Sequence, residues 1–320
     1  MTLPGIGVAR DALSGIEIRP AVTADLPACH GIWRDGIDAY LRPMGFPPLQ
    51  RDNPGVRRLH DHTLATDPRR FMIAERSSRR DGRRVVAFGS AVERGDLWFL
   101  SMLFVAPGEQ ARGLGRALLE QLLPDDRDRR ILATCTDSAQ PVSNGLYATL
   151  GIVPRMPLFN LVGRPEPGFA WPALPDGIRA EPVAEPARWR DTDEVAALDR
   201  ALLGFAHPED HRFVQVEPRR PFEYRNRDGE LVGYAYAGDV GRIGPIAVAE
   251  PGLLEPVLGH VLGAVVPRGA SAVWLPGAAG DALRTAIRAG LRIDGFPVLA
   301  GWSRPHADYT RYVPTSPGLI

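Results

Sequence analysis

The stretch Leu103-Phe-Val-Ala-Pro-Gly-Glu-Gln110-Ala-Arg-Gly113-Leu-Gly115-Arg-Ala-Leu-Leu119 decides how this chain reads. Its apolar opening has the composition of a strand, and Pro107 stops it. A helix follows from about residue 113. Glycines at the junction let backbone approach a ligand closely, and several N–H groups converge at the helix N-terminus. The helix dipole favours negative charge there, so the junction is suited to a phosphate. Arg112 and Arg116 add cations. On the glycines alone, a strand-to-helix turn without a ligand reads equally well.

Working outward, two phosphate-binding patterns fail. Gly113-Leu-Gly115 begins like G-x-G-x-x-G, but Leu118 stands at the third position, and the motif lies mid-chain rather than after a first strand. A nucleoside-triphosphatase loop needs a lysine, and all 38 basic residues of this 320-residue chain are arginine. The absence of lysine also excludes Schiff-base and pyridoxal-phosphate chemistry. The 38 acidic residues balance the charge, which argues against a general nucleic-acid binder. Cys29 and Cys135 are too few for a disulfide scaffold or a thiolate zinc site, and two sparse thiols fit a reducing compartment. No apolar run is long enough to span a bilayer, and residues 1–14 lack a secretory pattern. A cytoplasmic location without membrane or metal is expected.

The remaining chain alternates strands and helices. Strands are expected at residues 16–21, 71–75, 84–93, 97–105, 130–134 and 153–163. Helices are expected from Leu26 to about Tyr40 and over residues 55–65, 113–123 and 141–150. Residues 164–177 hold four prolines and read as a stiff linker. The pattern then restarts. Gly244-Pro-Ile-Ala-Val-Ala parallels Ser101-Met-Leu-Phe-Val-Ala, and Leu258-Gly-His-Val-Leu parallels Leu114-Gly-Arg-Ala-Leu. A period this long marks two copies of one domain rather than a solenoid.

The string from Gln110 to Gly115 resembles the [Q/R]-x-x-G-x-[G/A] acetyl-CoA motif of the GCN5-related N-acetyltransferase (GNAT) superfamily. Leu146-Tyr147-Ala-Thr-Leu-Gly151-Ile resembles its L-Y-x-x-x-G-F segment. Gln140 stands where the family often has Asn. The resemblance implies an α/β (α+β) chain of tandem GNAT folds, each a mixed central sheet flanked by helices. The expected layout is a flexible start at residues 1–15, an acetyl-CoA-binding catalytic domain at 16–163, the linker, a degenerate copy at 178–304 and a tail at 305–320.

The resemblance further implies an N-acetyltransferase that uses acetyl-CoA. The pantetheine arm would lie along the backbone of Leu103, Phe104 and Val105, and a backbone N–H near Val105 would polarise the thioester. The pyrophosphate would meet Gln110, Ala111, Arg112, Gly113, Leu114, Gly115 and Arg116, with Gln140 nearby. An amine of a small molecule or peptide would attack, and Tyr147 would protonate the leaving thiolate. Glu93 and Ser101 are candidates for the base. Trp33, Tyr40 and Phe46 are candidates for the acceptor pocket, although such spacing also builds a core. His60 and His62 read as surface or capping residues, and their spacing does not suit a metal pair.

In the second copy, Glu250-Pro-Gly-Leu-Leu-Glu-Pro has lost the Gln and two N–H donors, and Ala286 replaces the tyrosine. That copy is expected neither to bind acetyl-CoA nor to catalyse. Tandem enzymes such as mycothiol synthase keep the catalytic copy C-terminal, unlike the arrangement here. A non-catalytic acyl-CoA sensor is the competing reading, and homo-oligomerisation is left open.

Overall fold

The computed structural model describes residues 13–78, 82–217 and 219–320. The flexibility expected of the N-terminus, and the turn at Asp81, fall largely outside these residues. The chain divides into two compact units: residues 1–93 with 99–128, and residues 94–98 with 129–320.

In the first unit, β1 (Ile16–Pro20), β2 (Phe71–Ser78), β3 (Gly82–Arg94) and β4 (Leu97–Val105) are neighbours in that order. The side-chain period of two assigns the faces. Phe88 and Phe104 stack 5.7 Å apart on one face, under α1 (Leu26–Leu41) and α2 (Pro54–Thr66). Gly36 allows α1 to approach: a Cβ there would lie 3.1 Å from the Phe104 ring. The opposite face carries Gly89 and Leu103 and receives α3 (Leu114–Leu122). A Cβ on Gly89 would stand 2.5 Å from the Leu122 side chain.

His60 is buried beneath α2 rather than on the surface. It packs edge-on to Phe71 and Phe88, with Nε2 3.2 Å from the Met102 sulfur. Burial, aided by His30, lowers its pKa to about 4.

The second unit is built on an exchange of strands. β5 (Ile131–Asp137) and β6 (Val153–Gly163) do not pair with each other. The rest of the unit comprises α4 (Pro141–Ala148), β7 (Arg179–Pro182), α5 (Pro186–Trp189), α6 (Asp193–Leu203), α7 (Pro208–Val216), β8 (Arg219–Arg225), β9 (Leu231–Gly238), β10 (Arg242–Val248), α8 (Leu254–Ala264), β11 (Ser271–Pro276), α9 (Gly280–Arg288), β12 (Arg292–Ile293), β13 (Val298–Trp302) and β14 (Tyr312–Val313). The sheet order is β5-β13-β6-β11-β10-β9-β8-β7. β13 pairs antiparallel with β5, Ala300 opposite Cys135, and with β6, Ala300 opposite Met156. Farther along β6, Leu161 faces Val273 of β11 on one side and Ile293 of β12 on the other.

One long strand therefore serves two neighbourhoods. The register slips between Ala300 and Gly301, where Pro154 of β6 offers no N–H. From β7 onward the element order strand, helices, three strands, helix, strand, helix, strand repeats that of residues 16–163.

The compact units do not follow the boundary expected at residues 164–177. Strand pairing decides compactness, and the late strand β13 joins the early strands β5 and β6. The linker is not free either. Phe169, Trp171 and Leu174 pack against the apolar core formed by α8, α9 and β8–β11, and Gly259 leaves room for the Trp171 ring. Residues 305–320 are not a loose tail. Tyr312 and Val313 are fully buried, and Ile246 and Ala247 of β10 pair with them. Their apolar side chains are removed from water as in any core strand.

Two outcomes follow. A chain ended at residue 295 lacks the partner of β5 and β6 and should lose its cooperative thermal transition by circular dichroism. Independent cooperative melting of residues 16–163 would contradict the exchange. In the second test, unfolded His60 takes a proton near pH 6.5, whereas the folded ring stays neutral to about pH 4. Its contribution is complete above pH 6.5 and is lost as pH falls through that window, by about 3 kcal/mol. Urea unfolding at pH 7 and pH 4 should show a smaller drop in His60→Leu than in the parent chain.

Candidate functional site

The glycine junction has a specific backbone shape. Val105 ends β4, residues Pro107–Glu109 make one tight turn, and α3 starts at Leu114. Ala111 has φ 62° and Gly113 φ 79°, both left-handed. Such alternation turns successive N–H groups towards one concavity. Gly113 occupies the N-cap, and no side chain caps the helix. The Ala117 N–H bonds to the Gly113 carbonyl, so those of Leu114, Gly115 and Arg116 precede the intrahelical ladder. Gly115 brings the helix onto β4, since a Cβ there would lie 3.5 Å from the Val105 side chain. The donors are therefore clustered, unblocked by a cap, and backed by the positive end of a nine-residue helix.

The loop is tied down from behind. The Gln110 side-chain amide donates to the Val105 carbonyl at 3.0 Å, and the Ala106 N–H donates to the Val86 carbonyl at 2.9 Å. Glu109 is buried and gathers Arg76 at 2.8 Å, Arg84 at 3.1 Å and Arg112 at 3.3 Å. Three guanidinium groups around one carboxylate leave an excess of positive charge beside the loop. The sequence reading missed Glu109; its place within the motif, between the segments expected to hold the pantetheine arm and the pyrophosphate, was the available signal. Arg112 thus answers to Glu109 as well as to solvent, and Arg116 is exposed.

The other expected residues are distributed as follows. Leu103, Phe104 and Val105 form the end of β4 and are half-buried. Ser101 is buried on the same face as Leu103, the α3 side of the sheet, and away from the face that carries Phe104 and His60. Glu93 pairs with Arg70 at 3.1 Å. It lies seven residues along β3 from Val86, about 23 Å for an extended strand. Among the candidates for the acceptor pocket, Trp33 packs 5.6 Å from His30 on α1 and is half-buried.

Gln140 and Tyr147 belong to the second unit. Gln140 stands at the N-cap of α4, its carbonyl accepting from the Asn144 amide at 2.9 Å. The Asn144 amide also reaches the Asp137 carbonyl at 3.1 Å and so joins β5 to α4. Tyr147 is buried on α4. Burial pushes its phenol well above the usual range, and a hydrogen bond with Ser143 opposes that shift. The phenol therefore holds its proton across neutral pH.

The corresponding junction of the later repeat is built differently. Leu253 caps α8 in right-handed geometry, the Leu254 N–H is taken by the Pro251 carbonyl, and Gly252 is absent from the left-handed glycines. Glu255 occupies the first turn and accepts from the Thr285 hydroxyl. β10 and β11 pair in parallel only at Arg242 and Ile243, and beyond them β14 bonds to β10.

Residues 35–152 match the Acetyltransferase (GNAT) family. This span is a GNAT domain. It contains both the 110–116 loop and Tyr147. No curated protein sequence matches the chain. The fold is similar to that of a candidate acetyltransferase from Pyrococcus horikoshii, with a TM-score of 0.72 at 17% identity over 96% of each chain. It is also similar to a GCN5-related N-acetyltransferase from Sphaerobacter thermophilus, with a TM-score of 0.58 at 18% identity over 92% of this chain and 98% of that one. A glucosamine N-acetyltransferase region of a fungal multi-domain enzyme gives a TM-score of 0.57 at 15% identity, over 90% of this chain and 38% of that chain. At these identities the likeness is one of fold. Acyl-CoA-dependent acetyl transfer is the general chemistry of the GNAT family, and no helix among the described residues is long and apolar enough to cross a membrane.

The left-handed backbone is the testable part of the loop. Gly113→Ala places a Cβ at φ 79° and should cost about 1–2 kcal/mol in urea unfolding. Ala111→Gly releases the same kind of strain and should gain up to about 1 kcal/mol. A Gly113→Ala variant as stable as the parent, or an Ala111→Gly variant less stable than it, would contradict this backbone.

Proposed function

We propose that the chain is an acetyl-CoA-dependent N-acetyltransferase acting on a primary amine of a small molecule or peptide. The observation that carries the reading is the uncapped start of α3, with its left-handed Ala111 and Gly113, inside a GNAT domain. In this reading Ala111, Arg112, Gly113, Leu114, Gly115 and Arg116 hold the pyrophosphate through backbone N–H groups, with the two arginines supplying charge. Gln110 braces the loop by its bond to Val105. The pantetheine arm extends the backbone of Leu103, Phe104 and Val105 as an added strand would, and Gln140 serves the same donor.

The neutral amine attacks the thioester carbon, a C–N bond forms and the C–S bond breaks. The amine loses one proton, and the departing thiolate gains one from Tyr147. Because burial raises the Tyr147 phenol, its proton is available throughout the neutral range, and no loss of the acid is expected below pH 10. Transfer to sulfur then needs a site in which the thiolate is destabilised as it leaves. Glu93 is engaged by Arg70 and has no part in this proposal; Ser101 is retained as a candidate for relaying the amine proton. A cytoplasmic setting accords with the free Cys29 and Cys135 thiols.

We further propose that residues 178–304 are a degenerate second copy that holds no donor. Where an added strand would pair with β10, the chain supplies β14 itself, and α8 lacks the left-handed junction.

Titration calorimetry with acetyl-CoA should give one site per chain, and a thiol-release assay over a panel of amines should find turnover. Tyr147→Phe should lower kcat at least tenfold with little change in acetyl-CoA affinity. Saturable binding without turnover on any amine would favour an acyl-CoA sensor, an unchanged kcat would remove the acid, and two sites per chain would refute the closed second copy.

A further inference from the structure

A second cluster of reactive side chains lies in the second unit. Asp199 on α6, with His207 at the N-cap of α7 and His211 in its first turn, are each about 1% exposed. Together they offer one carboxylate oxygen and two ring nitrogens within 4.8 Å of one another. Asp199 Oδ2 lies 3.1 Å from His211 Nε2 and 3.6 Å from His207 Nε2. Zinc bonds of about 2.0–2.2 Å in a tetrahedral site put neighbouring ligand atoms about 3.3–3.5 Å apart. The two measured edges bracket that value.

The groups behind the cluster orient it as a metal site requires. His211 directs its other nitrogen, Nδ1, to the Tyr236 hydroxyl at 2.8 Å. His207 directs Nδ1 towards Asp210 Oδ2 at 3.4 Å, and Arg94 clamps that carboxylate with two bonds of 2.8 Å. The second Asp199 oxygen accepts from Tyr234 at 2.7 Å. Asp199 and His211 thus each have one atom facing the centre and another hydrogen-bonded outward, while His207 Nδ1 faces the Asp210 carboxylate without a hydrogen bond.

Two buried groups are left over. Neither ring nitrogen of His207 makes a hydrogen bond, and neither does the Tyr312 hydroxyl, whose ring centre lies 6.5 Å from that of His207. A bare network of ion pairs would be expected to close to about 2.7–2.9 Å between charged partners. The gap of 3.6 Å between His207 Nε2 and Asp199 Oδ2 is too long for that and suits a small cation between the groups.

We propose that Asp199, His207 and His211 bind one divalent transition-metal ion of the zinc class, with the Tyr312 side towards its fourth position. The donor set of two imidazoles and one carboxylate suits zinc and its first-row neighbours. With all three ligands buried, the ion's role is to bind α6 to α7, as structural zinc does. The sequence reading had weighed only the cysteines and His60 with His62 for a metal; the His207-x-x-x-His211 spacing was the signal overlooked.

The test uses the full chain, freed of metal by chelator and incubated with zinc or cobalt(II). Elemental analysis after desalting should find about one equivalent per chain, and cobalt should give the strong visible absorption of a four-coordinate site. Chelator should lower the melting temperature of the loaded chain by several degrees. His207→Gln should retain less than a tenth of an equivalent and melt at the same temperature with or without chelator. A folded parent chain that retains no zinc or cobalt, or a His207→Gln variant that retains a full equivalent, would overturn the proposal. The parent chain's metal content decides the matter even if the variant does not fold.

Discussion

The ladder in which β13 lies between β5 and β6 is the constraint on which the larger unit depends. A strand buried in a sheet must satisfy its N–H and C=O groups on both sides, because no water reaches them. β5 and β6 leave a gap one strand wide, and β13, which fills it, comes some 135 residues later than β6. The same β6 continues past that gap and becomes a neighbour of β11 and β12. Neither repeat can finish its sheet from its own residues. Contacts this distant in sequence are slow to form and join β5 and β6 to a late strand of the same unit.

The glycine junction has the backbone of an anion site without any lysine. Backbone N–H groups carry the contact, and their aim depends on φ values that an ordinary residue resists. Gly113 meets the requirement cheaply, whereas Ala111 meets it with strain, which is consistent with a position shaped by a ligand rather than by folding. Buried Glu109 collects Arg76, Arg84 and Arg112 and so fixes a positive rim without lysine. In the later repeat the same elements recur without the left-handed residues, and the C-terminal segment covers β10. The different loop and the occupied strand edge are the two independent observations behind the proposal of one site per chain.

Much of this was legible along the chain. The strand before Pro107, the helix after Gly113, the helix from Leu26 and the repeat of element order all follow from periodicity and from turn residues, which act over a few positions. The match of residues 35–152 to the GNAT family agrees with the resemblance carried by Gln110, Gly113, Gly115 and Tyr147. Less visible were α7, whose proline and charged first turn disguise its apolar face, and the roles of Glu109 and His60, which depend on neighbours distant in sequence. The alternating pattern of β6 announced a strand but not that its two ends serve different partners.

Local chemistry thus determined the elements, the glycine motif before α3 and the twofold repetition. The tertiary structure alone decided which strand lies beside which, that residues 305–320 are core rather than tail, that Glu93 is committed to Arg70, and that Asp199, His207 and His211 converge. The division has a physical basis. Helix and turn signals are written in residues three or four apart, whereas strand pairing, burial and charge partnership are set by residues that meet only after the chain has folded.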